Sequence, residues 1–234
     1  MVNRILGHIF YHNWVAILYF NLRMLPWRQA IRFPFDFYHD IRFQSLSGCI
    51  VFEGGCVRRG MIKIGGRGSE MFPRSQTIID LKGTWIIRGQ LEVGHGALLR
   101  VENNGFFECG DNVRIGALTK VFCVNRITFG NEIDVSWECQ IFDTNFHFLM
   151  DIESGKLNLR DGEISIGDLN WIGNRVSVMK GTRTPSECVV AANSLCNRDY
   201  TGLPTGSVIG GVPAQLLKTG KRRVFESTQD VPGF

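Results

Sequence analysis

The chain has 234 residues, 44% of them apolar and 21% charged, with a formal net charge of +4. That length supports one large or two small domains with a substantial core, and the balance is that of a soluble globular protein. The charge is mild and no run of Lys and Arg stands out, so nucleic acid is excluded as an expected partner.

Residues 1–45 read as helices broken at Pro26 and Pro34, where proline cannot continue an α-helix. Within them "ILGHIFYHNWVAILYF", residues 5–20, is apolar and aromatic but interrupted by His8, His12 and Asn13. It falls short of the roughly 20 apolar residues that span a bilayer. No small-residue cleavage site follows, so a signal peptide is not expected. Two readings remain. The helix caps the main domain or another subunit, or it lies on a membrane surface beside the arginine-bearing stretch "NLRMLPWRQAIRF".

Residues 46–213 are glycine-punctuated short strands with a period of six. Stepping by six from Ile166 gives Ile172, Val178, Thr184, Val190 and Cys196, with only Thr184 out of character. Cys109 and Ile115 keep the step, and Leu81, Ile87, Val93 and Leu99 keep it upstream. Phe129, Val135 and Ile141 keep it after an insertion of two residues around "TKVFCV". Neither a helix nor an ordinary strand repeats at six. The period, with glycine beside the inward aliphatic, predicts a parallel β-helix of hexapeptide repeats, three to a triangular coil of about 18 residues. The "GD" and "GN" pairs at 110–111, 130–131, 167–168 and 173–174 suit its corners.

The period breaks at "FDTNFHFLMD" and resumes near Ile164, so a loop of about 142–163 leaves the solenoid. Loops on rigid repeat scaffolds commonly carry the site, and this one holds His147. The seven cysteines form no CxxC and no pair stands near a suitably spaced histidine pair, so no metal site is expected. Free thiols of this kind fit a reducing cytoplasm. "GVPAQLLKTGKRR" suits a short helix begun near Pro213, which makes 214–234 a C-terminal helix and tail.

With "IGDLNWIGNRVSVMKGT", "VVAANS" and "IGGVPAQLL" in view, the chain resembles the hexapeptide-repeat acyltransferases. Within them it looks most like the bacterial capsular and exopolysaccharide O-acetyltransferases, strongly over 129–218 and more weakly over about 60–128. The resemblance implies a mainly β fold, a left-handed parallel β-helix, assembled as a homotrimer with acetyl-CoA between the β-helices of neighbouring subunits. It implies His147 as catalytic base, with Asp143 a candidate to orient it or else an ordinary turn aspartate. A sugar hydroxyl is a poor nucleophile, and a neutral imidazole can remove its proton as it attacks a thioester.

By the same resemblance Asn174, Ala192, Asn197, Arg198 and Lys218 match cofactor-contacting positions, and Trp171 stands beside them. Trp137, Glu138 and Asn145 are candidates for an acceptor pocket. Two departures stand out. Gln215 replaces an arginine found in some relatives, and "RTPSE" replaces an Ile-Gly corner at 184–185. The implied activity is acetyl transfer from acetyl-CoA to a sugar hydroxyl in surface-polysaccharide biosynthesis, in the cytoplasm, with the N-terminal helix leaving open a place at the membrane's inner face. The alternatives are N-acetylation of an amino sugar or antibiotic, a zinc-dependent β-helix carbonic anhydrase, and a decayed binding scaffold.

Overall fold

The structure, a computed structural model, describes residues 11–54, 57–66 and 72–224. Its strands form three sheets, parallel except for the last strand of the first, which are the faces of a left-handed β-helix. Among the described residues, face 1 has nine strands, face 2 seven and face 3 five. The chain visits them in turn: Phe35–Phe37 on face 1, Ile41–Leu46 on face 2 and Cys49–Phe52 on face 3 open the first coil.

The six-residue step becomes three columns of inward side chains. Face 1 stacks Phe37, Ile64, Val93, Ile115, Val135 and Ile172 in register, and continues to Val190 and Ile209. Face 2 stacks Leu99, Val121, Ile141, Val178 and Cys196. Face 3 stacks Ile87, Cys109, Phe129 and Ile166. These side chains are buried, and each removes its neighbour's apolar surface from water. Thr184, the break in the hexad pattern, follows Ile166 and stays buried because its hydroxyl accepts the Gly167 N–H at 3.1 Å.

Corners explain the glycines and much of the backbone strain. A Cβ on Gly173 would stand 2.8 Å from the Ala192 nitrogen, so the coil above rests directly on that corner. Asn112, Glu132 and Leu169 take the left-handed conformation at the corner between faces 3 and 1, and Glu138, Arg175 and Asn193 at the corner between faces 1 and 2. The insertion of two falls at Val124 and Asn125, between the strands Lys120–Cys123 on face 2 and Arg126–Phe129 on face 3.

Two boundaries differ from the sequence reading. Coil formation begins at Phe35, inside the segment assigned to N-terminal helices. That segment does hold α1 (Trp14–Met24) and α2 (Trp27–Ala30), separated by Pro26. Residues 5–10 of the apolar stretch lie outside the described residues. Asn13 caps α1 by accepting the Ala16 N–H. The inner side of α1 closes the open end of the first coil, with Phe20 among the rings of Phe35, Phe37 and Phe43 at 4.8–5.3 Å.

At the other end the described residues hold no C-terminal helix. Ala214–Lys218 is a strand, antiparallel to Val208–Gly211 across a Val212–Pro213 turn. The exposed face-1 edge of the last coil offers unpaired backbone groups, and pairing with them wins over the helical propensity of a five-residue segment. No described helix is long and apolar enough to cross a membrane.

Candidate active site

The loop is an arm built as an irregular hairpin. It leaves the edge between faces 2 and 3 after Gln140–Phe142 and returns to Ile164–Ile166. Antiparallel bridges join Thr144 to Asp161 and Met150 to Leu157. The Thr144 hydroxyl donates to Asp161 at 2.5 Å, and the Asp151 carboxylate accepts the Ser154 N–H and hydroxyl to close the tip.

Asp143 sits fully buried at the root. Its two carboxylate oxygens accept the N–H groups of Val124 and Asn125, each at 2.8 Å. Burial holds its carboxyl above the ordinary range against the pull of those amides. Both oxygens therefore fasten the widened corner of the coil below, and no hydrogen bond joins Asp143 to His147 among the described residues.

His147 is exposed on the arm and follows Phe146, which has φ +63° away from the solenoid corners. Phe146 packs on Phe122 and Phe142 at 4.9 and 5.7 Å. This contact holds the backbone from which His147 projects. The histidine borders an open cavity of about 640 Å³ with Asn145, Lys156, Asn158 and Lys180. Lys180 belongs to the next coil and donates to the Leu159 carbonyl, tying the arm to the solenoid. The spacing arguments singled out neither lysine, because each becomes a neighbour of His147 only when the arm folds back.

The remaining candidate residues divide between two edges. Asn197 and Arg198 follow Leu195–Cys196 on the same 2–3 edge as the arm, and the Arg198 carbonyl accepts from Arg183, which follows Lys180 in the coil below. Arg198 also donates to the Ala214 carbonyl and lies over the Tyr200 ring. Trp137, Glu138, Asn174 and Ala192 lie on the edge between faces 1 and 2. Arg175 bonds the Trp137 carbonyl through its N–H and the Glu138 carboxylate through its guanidinium. Lys218 is exposed at the end of the last strand on face 1.

Trp171 stands on face 1, in register with Asp134, which is in register with Arg114 and then Glu92. These four outward side chains, with Trp137, Ser136 and Arg223, line a groove of about 420 Å³. The Trp171 indole donates to Ser136 at 3.2 Å. Arg223 pairs with Asp134 and covers the Trp171 ring. One chain therefore carries a histidine arm on one edge and an aromatic groove beside another, with face 2 between them. Among the described residues no group of three or more His, Cys, Asp and Glu could hold a metal ion.

No protein-family model matches the chain. Two curated relatives do. WbbJ of Escherichia coli K12, provisionally named a lipopolysaccharide biosynthesis O-acetyl transferase, is 26% identical over 133 residues, 53% of this chain and 66% of the relative. The probable acetyltransferase Rv3034c of Mycobacterium tuberculosis is 25% identical over 205 residues, 86% of this chain and 63% of the relative. The chain thus spans slightly less than two thirds of the length of either. Among solved structures, the polySia-specific acetyltransferase NeuO superposes with a TM-score of 0.53 over 85% of this chain and 92% of its own, at 19% identity, and so shares the fold. The chain is thus similar in sequence to two named acetyltransferases and shares the fold of a third.

Proposed function

We propose that the chain transfers an acetyl group from acetyl-CoA to a sugar hydroxyl of a surface-polysaccharide intermediate, with His147 as general base. The observation that carries this reading is an exposed histidine held on a hairpin arm that the repeat does not require. The name of WbbJ supports O-acetyl transfer in lipopolysaccharide biosynthesis, and that of Rv3034c supports acetyl transfer without an acceptor. The neutral imidazole takes the hydroxyl proton as the sugar oxygen bonds to the acetyl carbon. The tetrahedral oxyanion takes a hydrogen bond from a backbone N–H of a neighbouring coil. The carbon–sulfur bond then breaks, and the departing thiolate takes the proton back from the imidazolium. The products are the acetyl ester and CoA thiol, and no cysteine is acylated.

The division of the candidate residues between two edges supports a homotrimer in which the arm of one chain meets the groove edge of the next. Trp137, Glu138 and Asn174 of one subunit would then face His147 and Asn145 of its neighbour, with the cofactor between the β-helices. Lys180, Arg198 and Lys218 supply positive charge for the nucleotide phosphates, where point charges suffice. In this arrangement Asp143 positions the arm and His147 alone moves the proton. The buried thiols suit a reducing cytoplasm as the place of the reaction.

The test begins with titration of acetyl-CoA into the full chain and into His147→Ala, then an acceptor screen that includes both hydroxyl and amine sugars. Micromolar binding in both proteins with turnover lost in the variant is expected. Mixing inactive His147→Ala and Trp171→Ala chains under exchange conditions should restore turnover, since mixed trimers hold one intact interface. Absence of acetyl-CoA binding in both proteins would sink the acetyltransferase reading. Failure of the mixture alone would sink the shared site, and preferred turnover of amines would transfer the chemistry to nitrogen.

A further inference from the structure

α1 is apolar on both sides, yet only one side is covered. Ala16, Ile17, Phe20 and Asn21 are buried against the first coil. Val15, Leu18, Tyr19 and Leu22, at helical spacing i, i+3, i+4 and i+7, face outward, with Val15 78% and Leu22 50% exposed. Trp27 and Ile31 extend the stripe at 70% and 50% exposure. A helix that is apolar all round belongs in a protein interior or at a lipid surface. Single exposed apolar residues need no explanation, but a contiguous group on one end of a solenoid does.

The two helices themselves carry charge of one sign. α1 and α2 contain Arg23 and Arg28 and no acidic residue, and Arg32 follows. Arg58 and Arg59 of the first coil are brought to the same end, because Gly60 donates its N–H to the Phe33 carbonyl and Arg32 reaches the Val57 carbonyl at 3.2 Å. The acids at this end are already engaged: Asp36 accepts from His12 and Tyr38, Asp40 from Gln76, and Glu53 and Asp111, which share a pocket with Arg58, pair with Arg88 and accept the Gln90 N–H respectively. An apolar, tryptophan-bearing stripe ringed by arginines complements an anionic interface with an apolar interior.

We propose that the capped end of the β-helix docks on an anionic phospholipid surface, with the outward stripe of α1 entering the headgroup boundary. The proposal stands apart from the acyl-transfer chemistry and uses none of its residues. It is tested by sedimenting the full chain with vesicles of phosphatidylcholine alone or mixed with phosphatidylglycerol. Light scattering and circular dichroism are measured alongside.

Strong partition onto the anionic vesicles, weakening as salt rises, is expected. Arg23→Glu with Arg28→Glu should cut that partition by at least ~5-fold for each arginine lost. Leu18→Glu with Leu22→Glu should abolish binding to both vesicles without changing helicity or oligomeric mass. Absence of sedimentation with anionic vesicles, or equal binding to neutral ones, would overturn the proposal. So would a change of oligomeric mass in the Leu→Glu variant, since the stripe would then be a subunit contact.

Discussion

Replacing Asp143 decides between two roles for one carboxylate. Each oxygen accepts one backbone N–H, from half-buried Val124 and from exposed Asn125, across the corner where the coil is two residues wider. A hydrogen bond to a charged group contributes about 1.5–3 kcal/mol net, and leaving a buried donor unmade costs about 1–3 kcal/mol. Asparagine keeps one acceptor but turns an NH₂ group toward the second N–H. It also removes a charge that burial disfavours, which offsets part of the loss. The expected net destabilisation of Asp143→Asn is therefore about 1–2 kcal/mol, rising to roughly 2–3 kcal/mol for Asp143→Ala, where both donors lose the carboxylate but water reaches the exposed Asn125. Urea unfolding should show the lower midpoint with an unchanged slope. Hydrogen exchange at Val124 and Asn125 should speed up specifically. The acetyl-transfer rate of the folded Asn variant should fall modestly, with its pH profile in place. Unchanged stability with a rate loss of about 10⁴-fold, the scale seen when an imidazole loses its orienting carboxylate, would refute this reasoning.

Three further outcomes follow from the packing. Phe107, fully buried between Trp85 at 5.9 Å and Phe129 at 5.5 Å, should cost about 3–5 kcal/mol on replacement by alanine, read as a lowered urea midpoint. Among the described cysteines only Cys49 is exposed, so brief alkylation of the native chain should label Cys49 and spare Cys109, Cys123, Cys139, Cys188 and Cys196. Mass spectrometry of the peptides checks this. Burial pushes Cys109, Cys188 and Cys196 up to about 12 and Cys139 to about 11. Because these folded values lie above the unfolded thiol near 8.5, the stability they give is fully present below about pH 8.5. It is lost as pH rises toward 11–12, at about 1.4 kcal/mol per unit for each thiol. Cys188→Ala should flatten that alkaline slope; an unchanged slope would contradict the assignment.

The six-residue period was legible because every inward position of a triangular coil meets the same constraint, and one chain repeats it many times. Even the insertion of two was visible, and in the structure Asp143 accepts its two backbone N–H groups. The C-terminal strand was not legible. "PAQLLK" has local helical preference, and only the unpaired edge of the preceding strand makes it extended, a fact of tertiary contact rather than composition. The arm was legible as an interruption containing a histidine. Its neighbours Lys156 and Lys180 were not, since 33 residues of chain separate His147 from Lys180 and only the returning hairpin joins them. The two-edge division was hidden for a related reason. Hexad phase gives a residue's place along a face, but the corner it occupies depends on counting faces through each irregular insertion.

The cap and the arm are on one rigid axis, which couples the two proposals. On face 2 the chain steps from Ile41–Leu46 through Thr77–Leu81, Leu98–Val101 and Lys120–Cys123 to Gln140–Phe142, where the arm begins. Four inter-strand steps of about 4.8 Å put the arm's root roughly 19 Å from the first coil. With the capped end on a bilayer and the axis upright, an acceptor anchored in the same bilayer must extend about that far to meet the root of the arm. Lipid-linked acceptors long enough to do so should turn over faster on vesicles than in detergent, whereas short ones should show the reverse. The Leu18→Glu, Leu22→Glu chain should treat long acceptors alike in both media. If short and long lipid-linked acceptors gain equally from vesicles, docking would act only by raising local concentration, and the solenoid would not serve as a spacer.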